Sequence, residues 1–236
     1  MNLVDLIDSP LVINLEKDTK RWEDICSHFS QWDILPERFP AVEGIKLPEI
    51  SLPECMKEHS YTVNLNLSHA SALRYRTHKS QKPFCLILED DCRFLENPTD
   101  LIFKIIKNLT SLNFDWSLIS LGCFSYDWQA PKPPLAQEQL NVYQLSQPNG
   151  WYPWGAHAYL INKKHAKRII GEFASCIMPP DHILLSEYSK KTGFLLRPSM
   201  AYQEEYPSHA NNGFSTIVTK SSADISEESK LKILKK

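Results

Sequence analysis

Glycine is scarce in this chain, 7 in 236 residues, and none belongs to a GxxxxGK[ST] loop. That removes the route in which a glycine-rich turn cradles phosphates with backbone N–H groups and a lysine. Basic charge is not in surplus either: 26 Lys and Arg face 28 Asp and Glu, a formal net charge of −2. A nucleic-acid partner held by a cationic face is therefore not expected. The 6 cysteines (Cys26, Cys55, Cys85, Cys92, Cys123, Cys176) form no CxxC pair and no zinc-type Cys/His spacing. Free thiols in a reducing cytoplasm fit this scatter better than a disulfide framework. No run approaches the ~18 apolar residues of a membrane span. Met1 to Asp8 lacks the basic and apolar segments of a secretory signal, so a cytoplasmic location is expected. What is present is ordinary for a soluble globular protein, 42% hydrophobic and 23% charged, with 16 prolines fixing turns and long connections. The length suits one large domain, or one domain with a subdomain.

The most informative stretch is Phe84-Cys85-Leu86-Ile87-Leu88, which runs straight into Glu89-Asp90-Asp91. Five apolar residues without polar alternation indicate a strand buried on both faces, as in a parallel sheet covered by helices. Acids at the end of such a strand sit at the carboxyl edge, where open α/β sheets place their ligands. Glu89 and Asp91 are two apart, so on a strand both point to the same side. Like charges packed together call for a proton or a cation, and a hard divalent metal is the economical choice. The bland alternative is that the acids solvate a loop or cap a helix beginning near Asn97-Pro98-Thr99.

Taken in order, strands are expected at Leu11–Leu15, Phe39–Gly44, Trp116–Gly122, Val142–Leu145 and Ala156–Ile161, with Phe194–Leu196 closing the sheet. Helices are expected after Arg21, from Ser68 as N-cap, over Leu101–Leu109 with one apolar stripe, after Asn162, and from Pro179-Pro180-Asp181. Alternating strands and helices argue for a single α/β domain over residues 1–220. The tail, 221–236, is polar and then basic; disorder or weak contact with an anionic membrane surface is expected there.

Val12-Ile13-Asn14-Leu15 with Arg21, Phe39 to Gly44, Ser68-His69, Leu86 to Asp91, Gly155 to Ile161 and Pro180-Asp181 occur in the order seen in glycosyltransferase family 25. The chain resembles that family over roughly residues 11–205. The family includes bacterial lipooligosaccharide and collagen galactosyltransferases. The resemblance implies a GT-A-type domain with a mostly parallel central sheet flanked by helices. It further implies a UDP-sugar donor (most often UDP-galactose), Mn²⁺ or Mg²⁺, and transfer with inversion to a glycan or lipid-linked oligosaccharide acceptor. One departure is Asn64-Leu65, where the family commonly has Gly-Cys, which bears on the loop over the nucleotide.

On that basis Asp91 is the principal expected metal ligand, Glu89 a second, direct or through water, and His209 a late third. Asp90 is directed to ribose or sugar hydroxyls, and Asn14, Arg21, Ser68 and His69 to the nucleotide. Asp181 is the expected catalytic base taking the acceptor's proton, with Glu204 and Glu205 as rivals and an ordinary helix cap as the structural alternative. Trp151, Tyr152 and Trp154 are candidates to stack on the sugar and Trp128 to cover the acceptor. A nucleotidyl- or phosphotransferase, or a non-catalytic sugar-nucleotide or glycan-binding module, remains the competing reading.

Overall fold

A computed structural model describes residues 2–44, 61–111, 115–122, 142–144, 155–190, 192–196 and 200–204. His209, Glu205, Trp128, Trp151, Tyr152, Trp154 and the tail lie outside these residues.

The elements in chain order are α1 (Leu3–Leu6), β1 (Leu11–Asn14), α2 (Thr19–Ser30), β2 (Glu37–Pro40), α3 (Tyr61–Lys79), β3 (Phe84–Glu89) and β4 (Cys92–Phe94). They continue with α4 (Pro98–Ser111), β5 (Leu118–Ser120), β6 (Val142–Gln144), β7 (Ala158–Asn162), α5 (Lys163–Ser175), α6 (Pro180–Ser189), β8 (Gly193–Leu196) and β9 (Ala201–Gln203). Seven strands form one sheet in the order β2-β1-β3-β7-β5-β8-β6, and β4 pairs with β9 beside it. β2, β1, β3, β5 and β8 run one way; β7 and β6 run the other. This is the mostly parallel α/β sheet expected from the sequence.

Its two faces follow from the period-2 alternation of strand side chains. Val12, Leu86, Leu88, Ile119, Leu160 and Phe194 pack on one face with Ile25 and Phe29 of α2 and Ile102, Ile105 and Ile106 of α4. Leu11, Ile13, Cys85, Ile87, Tyr159 and Leu195 pack on the other with Leu73 of α3, Ile169 and Phe173 of α5, and Ile183 and Leu184 of α6. Burial on both faces explains why β3 reads as an unbroken apolar run.

Topology then singles out one edge. β1 passes through α2 to β2 on one side, and β2 passes through α3 to β3 on the other, so strand order reverses at β1. The carboxyl ends of β1 and β3 thus meet at a topological switch point, where open α/β sheets place their ligands. Asn14 ends β1, Glu89 ends β3, and Ile13 is in register with Glu89.

Three sequence expectations shift. Phe194–Leu196 does not close the sheet: β8 lies inside it and β6 is the edge. The second strand is Glu37–Pro40, earlier than Phe39–Gly44. Ser68 is not an N-cap, because α3 runs from Tyr61. Its Oγ donates to the Asn64 carbonyl at 2.7 Å, the i−4 bond that lets a serine sit inside a helix. Asn64-Leu65 therefore lies on this helix and not in a loop.

Asn162 caps α5 as expected, accepting from the Lys164 N–H at 3.1 Å. The far side of the sheet is tied by Glu187 of α6, a fully buried side chain. Arg168 donates to both of its oxygens (2.5 and 2.6 Å), Ser117 to Oε2 (2.5 Å) and Lys190 to Oε1 (2.9 Å). Burial alone would raise this carboxyl; those donors overcome it and hold the pKa at about 2. Glu187→Ala removes the buried acceptor of Ser117 and leaves Glu172 as the carboxylate that Arg168 and Lys190 still share, an expected cost of about 1–3 kcal/mol. Because the folded pKa lies below the unfolded one, this contribution is full above about pH 4.5 and fades as pH falls toward 2. Denaturant unfolding of the two proteins at neutral pH checks the magnitude; equal midpoints would show that the network adds nothing.

Candidate active site

The chain turns directly after β3, so Glu89 closes the strand while Asp90 and Asp91 occupy the turn into β4. Asp90 faces back toward β1. Asn14 Nδ2 donates to its Oδ2 at 2.6 Å, and Arg21 of α2 donates to its Oδ1 at 3.0 Å. Asn14 is itself held, since Arg38 Nε donates to its Oδ1 at 2.8 Å. Burial still pushes the Asp90 carboxyl above its ordinary range, against the pull of Arg21 and Asn14.

Glu89 and Asp91 turn the other way and meet at Gln203 of β9. The Gln203 Nε2 lies 3.2 Å from Glu89 Oε2 and 3.3 Å from each oxygen of Asp91. The shared side expected for this pair is thus present, although Asp91 is beyond the strand. The remaining oxygen of Glu89, Oε1, is 3.2 Å from His69 Nε2. His69 is wholly buried, stacked on Phe173 at 5.3 Å, with its Nδ1 2.8 Å from the Tyr159 hydroxyl. Burial works to raise Glu89, but the His69 hydrogen bond and the neighbouring positive charges hold it below its usual value. For Asp91 the pull of Arg21 and Gln203 is outweighed. Burial, then the charges of Glu89 and Asp90, push it well above the ordinary carboxylate range.

Ser68 and His69 were expected near the nucleotide, and both are buried. Their polar atoms are turned inward: Ser68 Oγ accepts the Val42 N–H at 2.8 Å, fixing the segment after β2, and His69 orients Glu89. Asp181 stands at the first turn of α6, after Pro179 at the N-cap position, so it is not the cap itself. Its Oδ1 accepts the His182 N–H at 3.0 Å. Burial raises its pKa and the nearby charge of Glu89 adds to the rise. Glu204, the rival base, is paired with Arg93 at 2.6 Å.

The sequence reading missed Gln203, Tyr159 and Arg38. Gln203 carries no local motif, and only the pairing of β9 with β4, Cys92 opposite Gln203, brings it to the acids.

Among the described residues no three His, Cys, Asp or Glu side chains form a ready metal ligand set. Glu89 and Asp91 nevertheless suit a hard divalent cation, being two oxygen donors with one neutral amide between them and uncompensated negative charge around Asp91.

A glycosyltransferase family 25 (LPS biosynthesis protein) profile matches residues 7–184. The chain belongs to that family. Human procollagen galactosyltransferase 2 is 26% identical over 132 residues, 55% of this chain. That stretch is 19% of the relative's length, so the chain spans about a fifth of it. Among solved structures, A197 from STIV aligns with a TM-score of 0.44 at 11% identity, covering 84% of this chain and 87% of that one. A glycosyltransferase involved in glycosylation of the major capsid of PBCV-1 aligns with a TM-score of 0.39 at 14% identity, covering 82% and 83%. No helix of the described residues is long and apolar enough to cross a membrane.

The edge is also shaped by Gly122, just past β5. A Cβ there would collide with the Ala201 carbonyl and with His157 Nε2, next to the strand that carries Gln203. Gly122→Ala should push β9 away and lower stability by about 1–3 kcal/mol, the range for overpacking. An unchanged melting temperature would show that this approach is not needed.

Proposed function

We propose that this protein transfers a hexose, galactose in the first instance, from a UDP-sugar to a hydroxyl of a glycan acceptor, with inversion at the anomeric carbon. The observation that supports the reading most is the three-carboxylate turn at the switch-point edge of a chain in this family, with two of its acids converging. The acceptor is assigned by class only, a surface glycan such as a lipid-linked oligosaccharide at the cytoplasmic face of the membrane. The procollagen relative makes a collagen-like acceptor the first alternative to test.

Each residue has a task in this scheme. Glu89 and Asp91 would hold Mn²⁺ or Mg²⁺, which when bound supplies charge neutralisation for the departing diphosphate. Asp90, fixed by Arg21 and Asn14, presents a rigid acceptor edge to donor hydroxyls. Asp181 takes the acceptor's proton as its oxygen attacks the anomeric carbon and the bond to the diphosphate breaks. A base needs a pKa closer to the working pH than an ordinary aspartate has, and burial raises Asp181 in that direction.

Two outcomes are expected. Because burial and the neighbouring acids raise the pKa of Asp91, Mn²⁺ binding should release protons and weaken as pH falls. Asp91→Asn should abolish binding with the fold intact. Calorimetric titration in buffers of different ionisation enthalpy reads this, and pH-independent binding without proton release would count against the site. Asp181→Asn should keep donor binding and slow transfer by about 10²–10⁴-fold, while the wild-type rate falls on acidification through the raised pKa. A panel of nucleotide sugars with Mn²⁺ or EDTA supplies the assay. A variant with the wild-type rate and only a lower melting temperature would leave Asp181 a helix-terminus residue.

A further inference from the structure

Among the described residues the acids converging at the turn are two, so the proposed cation site has room for a further ligand. The amide of Gln203 is the group that touches both. Its Nε2 stands nearly equidistant from Glu89 Oε2 (3.2 Å) and the two Asp91 oxygens (3.3 Å each). In an octahedral site with metal–oxygen distances of about 2.1 Å, neighbouring ligand atoms lie roughly 3 Å apart. The end of the Gln203 amide is therefore about one ligand spacing from each carboxylate oxygen it faces.

We propose that Gln203 is a ligand of the cation: its amide turns over when the ion binds, so that Oε1 replaces Nε2 between Glu89 and Asp91. This inference rests on the reading of Glu89 and Asp91 as the cation site. The two ends of a carboxamide are nearly the same size, and the terminal torsion of glutamine is broad, so the turn needs little other movement. Without the ion, the N–H end satisfies two crowded carboxylates; with it, the oxygen end supplies a hard donor without adding negative charge. That neutrality matters beside three acids, where a fourth carboxylate would deepen the repulsion already expressed in Asp91. The backbone is anchored for the task. Gln203 is in register with Cys92 in the β4–β9 ladder, and the Glu204 N–H donates to the Asp91 carbonyl at 2.8 Å. The amide is thus held against the turn that carries the acids.

The alternative role for the same contacts is a restraint or a competitor: an N–H donor that the cation must expel. The two differ in sign. If Gln203 is a ligand, Gln203→Leu should weaken Mn²⁺ binding by at least about tenfold, and Gln203→Glu should restore it. If it only competes, Gln203→Leu should bind Mn²⁺ as well as or better than wild type. Mn²⁺ binding to the full chain is read from the loss of the free-ion electron paramagnetic resonance signal, with no sugar present. Melting in EDTA checks folding: Gln203→Glu should melt lower without metal, from the added charge, and regain stability with Mn²⁺. Weaker binding by the Leu variant with recovery in the Glu variant supports the proposal; equal or tighter binding by the Leu variant overturns it. A wild-type protein that fails to bind Mn²⁺ would overturn the cation reading itself, and this inference with it.

Discussion

Three carboxylates share one turn at the end of β3, and the surrounding structure is arranged to make that tolerable. Buried like charges a few ångströms apart cannot all stay ionised without compensation. Here the compensation is divided. Asp90 is given to β1 and α2 through Asn14 and Arg21; Glu89 is given to α3 through His69; Asp91 is left facing Glu89 across an amide. Each helper sits on a different element, so the turn draws α2, α3, β1 and β9 to one point. The division is uneven: Arg21 and Gln203 do not outweigh burial and the acidic neighbours of Asp91, so this is the acid whose charge the proposed metal would balance.

That arrangement also separates the three acids of the turn from the residues that steady them. His69 is closed off by Phe173 and Tyr159 and reaches the turn only through Glu89. Ser68 acts one step further away, pinning the Val42 backbone. A buried hydrogen bond to a carboxylate both orients it and keeps it ionised. Their presence in a family pattern is thus compatible with no contact to the nucleotide.

Much of this was legible in the chain. The apolar run from Phe84 to Leu88 identified a doubly buried strand, and the acids after it marked that strand's carboxyl end, because both features are local. Asn162 and Pro179-Pro180 marked helix starts for the same reason. The errors came where tertiary packing outweighs local chemistry. Ser68 looks like a cap, but a helix from Tyr61 accommodates it by an i−4 hydrogen bond. Gln203 has no signal of its own, since its meaning depends on β9 pairing with β4, more than a hundred residues away in sequence. The order of β8 and β6 was equally hidden, because strands of three or four residues are too short for their pattern to tell edge from interior.

Helix α6 shows how far residue type alone falls short of role. It carries two acids of similar character, Asp181 in its first turn and Glu187 near its end. Both are drawn into low-dielectric surroundings, which raises a carboxyl's pKa. Glu187 receives a bidentate guanidinium, a lysine and a serine, and drops to about 2. Asp181 receives backbone N–H groups at the helix start and feels Glu89, and its pKa rises. The favourable field of a helix N-terminus is worth under about 2 kcal/mol, so it cannot offset burial unaided. A fully compensated acid is locked as an anion and serves the fold. An acid whose partners do not offset burial has its pKa raised instead, which the proton-accepting role proposed for Asp181 requires and which Glu187 cannot supply.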